Sequence, residues 1–331
     1  MIRRFGGLVH FAGAAILALG FLAPGARIPL FQEDPVAEVG TAHAGGRLQV
    51  VTTTQDLASI AAQIGGDRIA VEPLAKGYQD PHFVDAKPSY LLKLRKADLF
   101  IQVGRELEVG WAPGLINNAR NNRIRPGAPG FLDASANVNI LEVGARVGRE
   151  QGDVHPLGNP HYWLNPENGI AMAANIRDAL SHLAPADAGY FQERYAAFEG
   201  RLRAKIAEWK KRAAALGLTG MKVVTYHRSW PYFAEAFGLE VVDYVEPRPG
   251  VPPAPRHVQE LVATMKAQKV GLLIVEPYFD PRLSRQIARN AGVPMVVLPP
   301  SVGAAPEATD YIQLFDTQLD TIRRALVGAK P

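Results

Sequence analysis

A run of apolar residues from Phe191 to Leu216 constrains this chain more than any other feature. Phe191, Tyr195, Phe198, Leu202, Ile206, Trp209, Ala213 and Leu216 advance by steps of three and four. That period near 3.6 fits one face of a single helix. It predicts a continuous helix over residues 187–216, with Asp187 to cap it and Gly217 to stop it. At about 1.5 Å per residue such a helix is roughly 45 Å long, enough to run along two domains. The chain of 331 residues has room for them.

The segments on either side begin alike. Leu48–Thr52 has the apolar pattern of a strand, and a helical stretch from Asp56 to Ile64 leads to a second strand pattern at Arg68–Leu74. Lys222–Tyr226, Trp230–Phe237 and Leu239–Tyr244 repeat that order. Strand, helix and strand with short connections read as βαβ units in a mostly parallel sheet. Leu99–Val103, Val270–Val275 and Met295–Leu298 are further apolar runs of the kind found in strands covered on both faces. Asn165-Pro166-Glu167 marks a helix start: a cap residue, a proline at the first helical position, then an acid at the positive end of the dipole.

The N-terminus has the layout of a secretory leader. Arg3 and Arg4 precede the uncharged, mostly apolar run Leu8–Leu22, and Ala42-His43-Ala44 offers a cleavage site. Pro24 and Arg27 follow too soon for a good membrane span. Cutting after Ala44 removes three basic and three acidic residues and leaves the net charge at +4. That charge is spread without a basic block, which argues against a nucleic-acid partner. The chain has no cysteine. This excludes disulfides, thiolate metal sites, cysteine nucleophiles and lipid attachment through a cysteine. The expected product is a soluble exported protein that works with histidine, carboxylate and backbone groups.

Of eight histidines, His10 and His43 leave with the leader, and His182 and His257 read as structural or solvated. His82, in Asp80-Pro81-His82, and His161, in Asn159-Pro160-His161-Tyr162-Trp163, fall in connections; His227 directly follows a strand pattern. Glu276 ends the strand pattern Val270–Val275. In open α/β sheets ligands bind beyond the carboxyl ends of strands, so His227 and Glu276 could share a cleft. Their spacing matches no local metal motif, and the zincin, serine-hydrolase and P-loop signatures are missing.

Several phrases follow one another in an order that resembles one family. They are Val50-Val51-Thr52-Thr53-Thr54, Gly77-Tyr78-Gln79-Asp80-Pro81-His82, Pro88 to Leu99, and Gly104-Arg105-Glu106-Leu107-Glu108. Then come Asn159 to Pro166, Val223-Val224-Thr225-Tyr226-His227 and Val275-Glu276-Pro277. Over residues 47–327 the chain resembles the periplasmic zinc- and manganese-binding proteins of ABC importers, the ZnuA/TroA-like group.

The resemblance implies an α/β fold of two lobes, each a mostly parallel sheet flanked by helices, joined by one long rigid helix. The implied divisions are a signal peptide (1–44), an N-terminal lobe (45–186), the connecting helix (187–216) and a C-terminal lobe (217–331). It implies a single metal between the lobes, with His82, His161 and His227 as ligands. Three imidazoles suit Zn²⁺ better than Mn²⁺. The implied partner is the membrane permease of an ABC importer, for a monomeric binding protein in the periplasm.

Two departures stand out. Residues 120–160 hold only His155 where many zinc members carry a histidine-rich loop. The phrase Leu298-Pro299-Pro300 replaces the family's usual L-D-P, so Pro299 stands where an acidic ligand is expected. Glu276 is the candidate for the fourth position; water, Asp80 and Glu246 are the others, and Glu276 could equally be a structural carboxylate behind a ligand histidine. Two other functions compete: a zinc hydrolase or lyase with an open water position, and an adhesin or sugar-binding protein that retains no zinc.

Overall fold

The computed structural model describes residues 46–143, 155–248 and 250–328; the leader expected at 1–44 lies outside them. The first sheet contains β1 (Leu48–Thr52), β2 (Ile69–Pro73), β3 (Leu99–Gln102) and β4 (Phe131–Asp133). Its order is β2-β1-β3-β4, with every pairing parallel. The helices α1 (Gln55–Gly65), α2 (Pro88–Lys96) and α3 (Ala112–Ala119) follow its first three strands. Next come α4 (Pro166–Leu183) and α5 (Ala188–Ala215). The second sheet contains β5 (Lys222–Thr225), β6 (Glu240–Tyr244), β7 (Leu272–Val275) and β8 (Met295–Val297). It repeats the same order, β6-β5-β7-β8, again all parallel. Around it lie α6 (Pro231–Phe237), α7 (Pro255–Ala267), α8 (Pro281–Ala291) and α9 (Tyr311–Gly328).

Local chemistry explains these elements. All four residues of β7 and the first three of β3 are buried, as parallel strands covered on both faces require. Helix starts are fixed by side chains that satisfy free backbone amides: Thr54 Oγ1 accepts from Leu57 N, Asn165 Oδ1 from Glu167 N, and Asp280 Oδ1 from Arg282 N. At the end of α5, Gly217 takes φ +74°, a left-handed conformation that costs glycine little. That turn lets Leu218 N donate to Ala213 O and buries the Leu218 side chain.

Asp187 departs from expectation. Its side chain makes no cap bond to α5, because Pro185–Asp187 forms a 3₁₀ turn that leads the chain into the helix. The carboxylate faces Arg68 instead, 3.5 Å away.

α5 buries Phe191, Phe198, Leu202, Ile206, Trp209 and Ala213. Its N-terminal half is tied to α1: Arg194 Nε donates to Gln63 O at 2.8 Å, and Arg201 to Gln63 Oε1. Its C-terminal half is tied to α9. There Trp209 Nε1 and Arg212 Nη1 both donate to Asp316 Oδ1 at 2.8 Å, and the Trp209 and Phe315 rings lie 5.1 Å apart. One hydrophobic cluster therefore runs from Leu48 and Ile101 of the first lobe, through α4 and α5, to Ile274 and Leu319 of the second. Among the described residues, no helix is long and apolar enough to cross a membrane.

The segment after β8 returns to the first lobe. Trp163 Nε1 donates to Pro300 O at 2.8 Å, and Tyr311 Oη to Trp163 O at 2.6 Å. Val302 N donates to the fully buried Asp56 Oδ1 at 2.9 Å. Gly77 lies so close to Val302 O that a Cβ there would collide with it, so only glycine permits this approach.

Burial pushes the Asp56 carboxyl up to about 7 against the opposing hydrogen bond from Val302. The folded state thus holds a proton that the unfolded chain releases near 3.8. Stability from this group is full below the unfolded value and is lost as pH rises through the folded value. Asp56→Asn should therefore lose less melting temperature than the wild type between pH 5 and 8. Calorimetric melts across that range, with parallel pH profiles for both proteins, would contradict this.

Candidate metal centre

His82, His161 and His227 come together. All three are buried, and one ligating atom from each lies within 4.8 Å of the other two. Their ring centroids are separated by 5.1 Å (His82–His161), 5.2 Å (His82–His227) and 5.3 Å (His161–His227). His82 lies in the connection between β2 and α2, His161 just before α4, and His227 two residues beyond β5. Two sheets and the segment between them thus each contribute one imidazole.

The two Asx-Pro-His phrases fold the same way. Asp80 Oδ1 accepts from the backbone N of His82 at 2.9 Å and lies 2.7 Å from its Nδ1. Asn159 Oδ1 accepts from His161 N at 3.0 Å and lies 2.9 Å from its Nδ1. A short Asx side chain bonding the backbone two residues on closes a local turn, and the intervening proline presets its φ. This turn also orients each ring.

The same bonds decide which nitrogen is available. Asp80 offers an acceptor, so His82 Nδ1 carries the hydrogen and Nε2 the lone pair. Asn159 Nδ2 donates to Arg228 O and Glu142 Oε2, which fixes Oδ1 as the oxygen facing His161. His161 Nε2, buried and without a partner, is thereby the free lone pair.

At His227 it is the backbone that is held. Thr225 Oγ1 donates to His227 O at 2.7 Å, and His227 Nδ1 lies 3.7 Å from Glu246 Oε1. Trp163 walls the His161 side at 5.3 Å and Phe279 the His227 side at 6.1 Å.

Burial, followed by the neighbouring His82 and His227, holds the His161 imidazole well below its ordinary value. It is neutral near pH 7, the form in which an imidazole ligates. For Asp80, burial works upward, but the hydrogen bond and charge of His82 outweigh it and leave the carboxyl below its usual range. It stays ionised beside the ring it orients.

Glu276 does not join this group. It follows β7, whose neighbour in the sheet is β5 as expected, but its Oε1 accepts from Trp230 Nε1 at 3.0 Å. Burial pushes its carboxyl up to about 8, so it keeps its proton near neutrality. A place at a strand end fixes the backbone; the side chain meets the Trp230 N–H through Oε1, and its buried Oε2 has no partner among the described residues. The other candidate acids are also engaged. Asp80 holds His82, and Glu246 accepts from Gly250 N while facing His227. Pro299 presents only its carbonyl, which accepts from Gln318 Nε2 at 2.8 Å.

His155, which the sequence reading set aside, stands against the triad. Its ring lies 5.2 Å from that of His82, and the two Nε2 atoms are 3.2 Å apart. Burial first, then His82 and His227, lowers it to about 3. The overlooked signal was its place six residues before His161, in the same Gly- and Pro-containing loop.

Two similar parallel sheets, a helix shared between them and buried imidazoles at their loop ends define a two-lobed α/β metal-binding protein. The chain matches, over residues 50–325, the ZnuA family, described as the periplasmic component A of a zinc-uptake complex, and belongs to it. It is 28% identical over 289 residues to the metal ABC transporter substrate-binding lipoprotein FimA of Streptococcus parasanguinis, covering 86% of this chain and 90% of that one. The solved structure of FpvC from Pseudomonas aeruginosa in complex with Mn²⁺ is 27% identical with a TM-score of 0.70, covering 86% of this chain and all of that one. A crystal structure of ZnuA shares the fold at 22% identity, with a TM-score of 0.69 over 85% of this chain and 99% of that one.

If Asn159 orients His161, Asn159→Ala should weaken Zn²⁺ binding by about 10- to 100-fold, the range for partners that hold a metal-ligating histidine. Competition titration against a chromophoric chelator measures this; unchanged affinity would remove the orienting role.

Proposed function

We propose that this chain is the extracytoplasmic binding component of an ABC importer, capturing Zn²⁺ between its lobes and delivering it to the membrane permease. The observation that carries this reading is the meeting of three buried histidines from three separate segments, their ligating atoms within 4.8 Å. Membership of a family of zinc-uptake components supports it. His82, His161 and His227 are the proposed ligands. Imidazole donors favour Zn²⁺ over Mn²⁺, which is better served by carboxylate and carbonyl oxygen.

In this reading the chain binds and releases its metal and performs no chemistry on it, works as a monomer and has no nucleic-acid partner. Residues 1–44 direct export to the periplasm. FimA is named a lipoprotein, whereas this sequence has no cysteine to carry a lipid; the reading is therefore of a freely soluble protein. Family membership gives the hydrolase alternative no support.

The test is metal analysis of protein purified without a histidine tag, followed by calorimetry. The wild type should bind one Zn²⁺, and a thousand-fold excess over Kd should stabilise it by about 4 kcal/mol. His161→Ala should lose most of that stabilisation. Glu276→Gln should keep the one-to-one stoichiometry and bind within a few-fold of wild type. Because protonation competes for imidazole lone pairs, affinity should drop as pH falls. Full affinity in His161→Ala would defeat the assignment.

A further inference from the structure

We propose that His155 is the fourth donor, so that the captured ion is held by four imidazole nitrogens. The inference rests on the reading above and extends it. Three observations on the structure carry it.

The first is distance. A tetrahedral Zn²⁺ with Zn–N bonds of about 2.05 Å places its ligand atoms about 3.3 Å apart. His155 Nε2 and His82 Nε2 are 3.2 Å apart, already one edge of such a tetrahedron. The ring stacks on that of His82 at 5.2 Å and lies 6.5 Å from that of His161. His155 lies outside the group whose ligand atoms are all within 4.8 Å of one another, so its ring must move toward His161 and His227 to close the figure.

The second is hydrogen bonding. A histidine placed for structural reasons finds a carbonyl or carboxylate, as His257 does where its Nε2 lies 2.9 Å from Tyr244 O. Among the described residues His155 Nδ1 is buried without a partner, and its Nε2 meets only the Nε2 of His82. His161 Nε2 and His227 Nδ1 are orphaned in the same place. Unpaired buried polar atoms are rare enough to need a cause; a cation at His161 Nε2 supplies it there, and the same cation explains why the Nε2 atoms of His82 and His155 face each other.

The third is charge. Four neutral donors leave the ion's two charges uncompensated among its ligands, which burial makes costly. Here one carboxylate is bonded to a ligand ring and a second stands near another. Asp80 lies 2.7 Å from His82 Nδ1 and Glu246 3.7 Å from His227 Nδ1. The two carboxylates beside these rings offset the ion's charge.

The backbone presents His155 for this role. Gly158 N donates to His155 O, and Asn159 N to Leu141 O, so one anchored turn carries both His155 and His161. Arg105 Nη1 braces it by donating to Leu157 O.

The experiment uses the full-length mature protein loaded with Zn²⁺ alone, as wild type, His155→Ala and His155→Gln. X-ray absorption at the zinc edge counts imidazoles, and chelator competition gives affinity. The expected result is four imidazoles in the wild type and three plus oxygen in both variants, with Zn²⁺ bound about ten-fold or more weakly. Loss should be smaller for Mn²⁺, which depends less on nitrogen donors. Three imidazoles in wild type, or variants that bind Zn²⁺ as the wild type does, would overturn the proposal. The wild-type count decides the matter even if a variant fails to fold. Failure of the broader reading looks different: the wild type takes up no zinc, or His161→Ala binds it unchanged.

Discussion

Burial of one face of α5 along its whole length is the constraint on which the other features depend. A helix of 28 residues is about 42 Å long, and Phe191, Phe198, Leu202 and Trp209 on its inner face have almost no exposure. Aromatic side chains of this kind bury 150–250 Å² each, at roughly 25 cal/mol per Å². Parting the lobes would expose several of them to water. Bending the helix would break its ladder, and no proline or glycine pair interrupts it. The cost of separating the sheets exceeds what a single ion contact can offset. The loops that carry His82, His161 and His227 therefore meet because the core holds their sheets in register, before any ion arrives.

Given that scaffold, the electrostatics of the site follow. Histidines this close would repel one another if protonated, and burial already disfavours the charge of His161. Asp80 and Asn159 hold their rings by Nδ1 and leave Nε2 as the lone pair. Only Asp80 brings a charge. A site built this way is neutral toward the solvent protons it must exclude and attractive to a divalent cation. Glu276 illustrates the alternative outcome for a carboxyl at this depth: burial outweighs the hydrogen bonds it receives, and it keeps its proton.

What could be read in the sequence was what the backbone alone decides. The α5 face, the paired βαβ openings and the Asn165 cap follow from periodicity and local turn chemistry, and the structure contains all three. The histidine triad was legible only through ordered phrases, because His82, His161 and His227 are separated by 79 and 66 residues and no local spacing joins them. Glu276 was placed by its strand, yet its side-chain direction depends on Trp230, which lies 46 residues away in sequence. Asp187 looked like a cap, but the turn that precedes it takes its carboxylate elsewhere. His155 was passed over for the opposite reason. A lone histidine in a loop carries no signal until the fold sets it 3.2 Å from another.

The two sheets share one strand order, and their first strands end alike: Thr52 Oγ1 donates to Thr54 O as Thr225 Oγ1 does to His227 O. The lobes diverge in what comes next. In the first, the helix begins at Gln55, three residues beyond the strand, and Thr54 is used as its cap. In the second, the helix waits until Pro231. The intervening residues hold His227 at the strand end, where a helix cap stands in the first lobe. The first lobe compensates one connection later. Its second strand is followed by the long segment between Pro73 and Pro88, which brings His82 back to the same point. Similar sheets thus bring the three histidines together without symmetry. Loop length, free to vary on a rigid frame, decides which strand end of each lobe supplies a ligand.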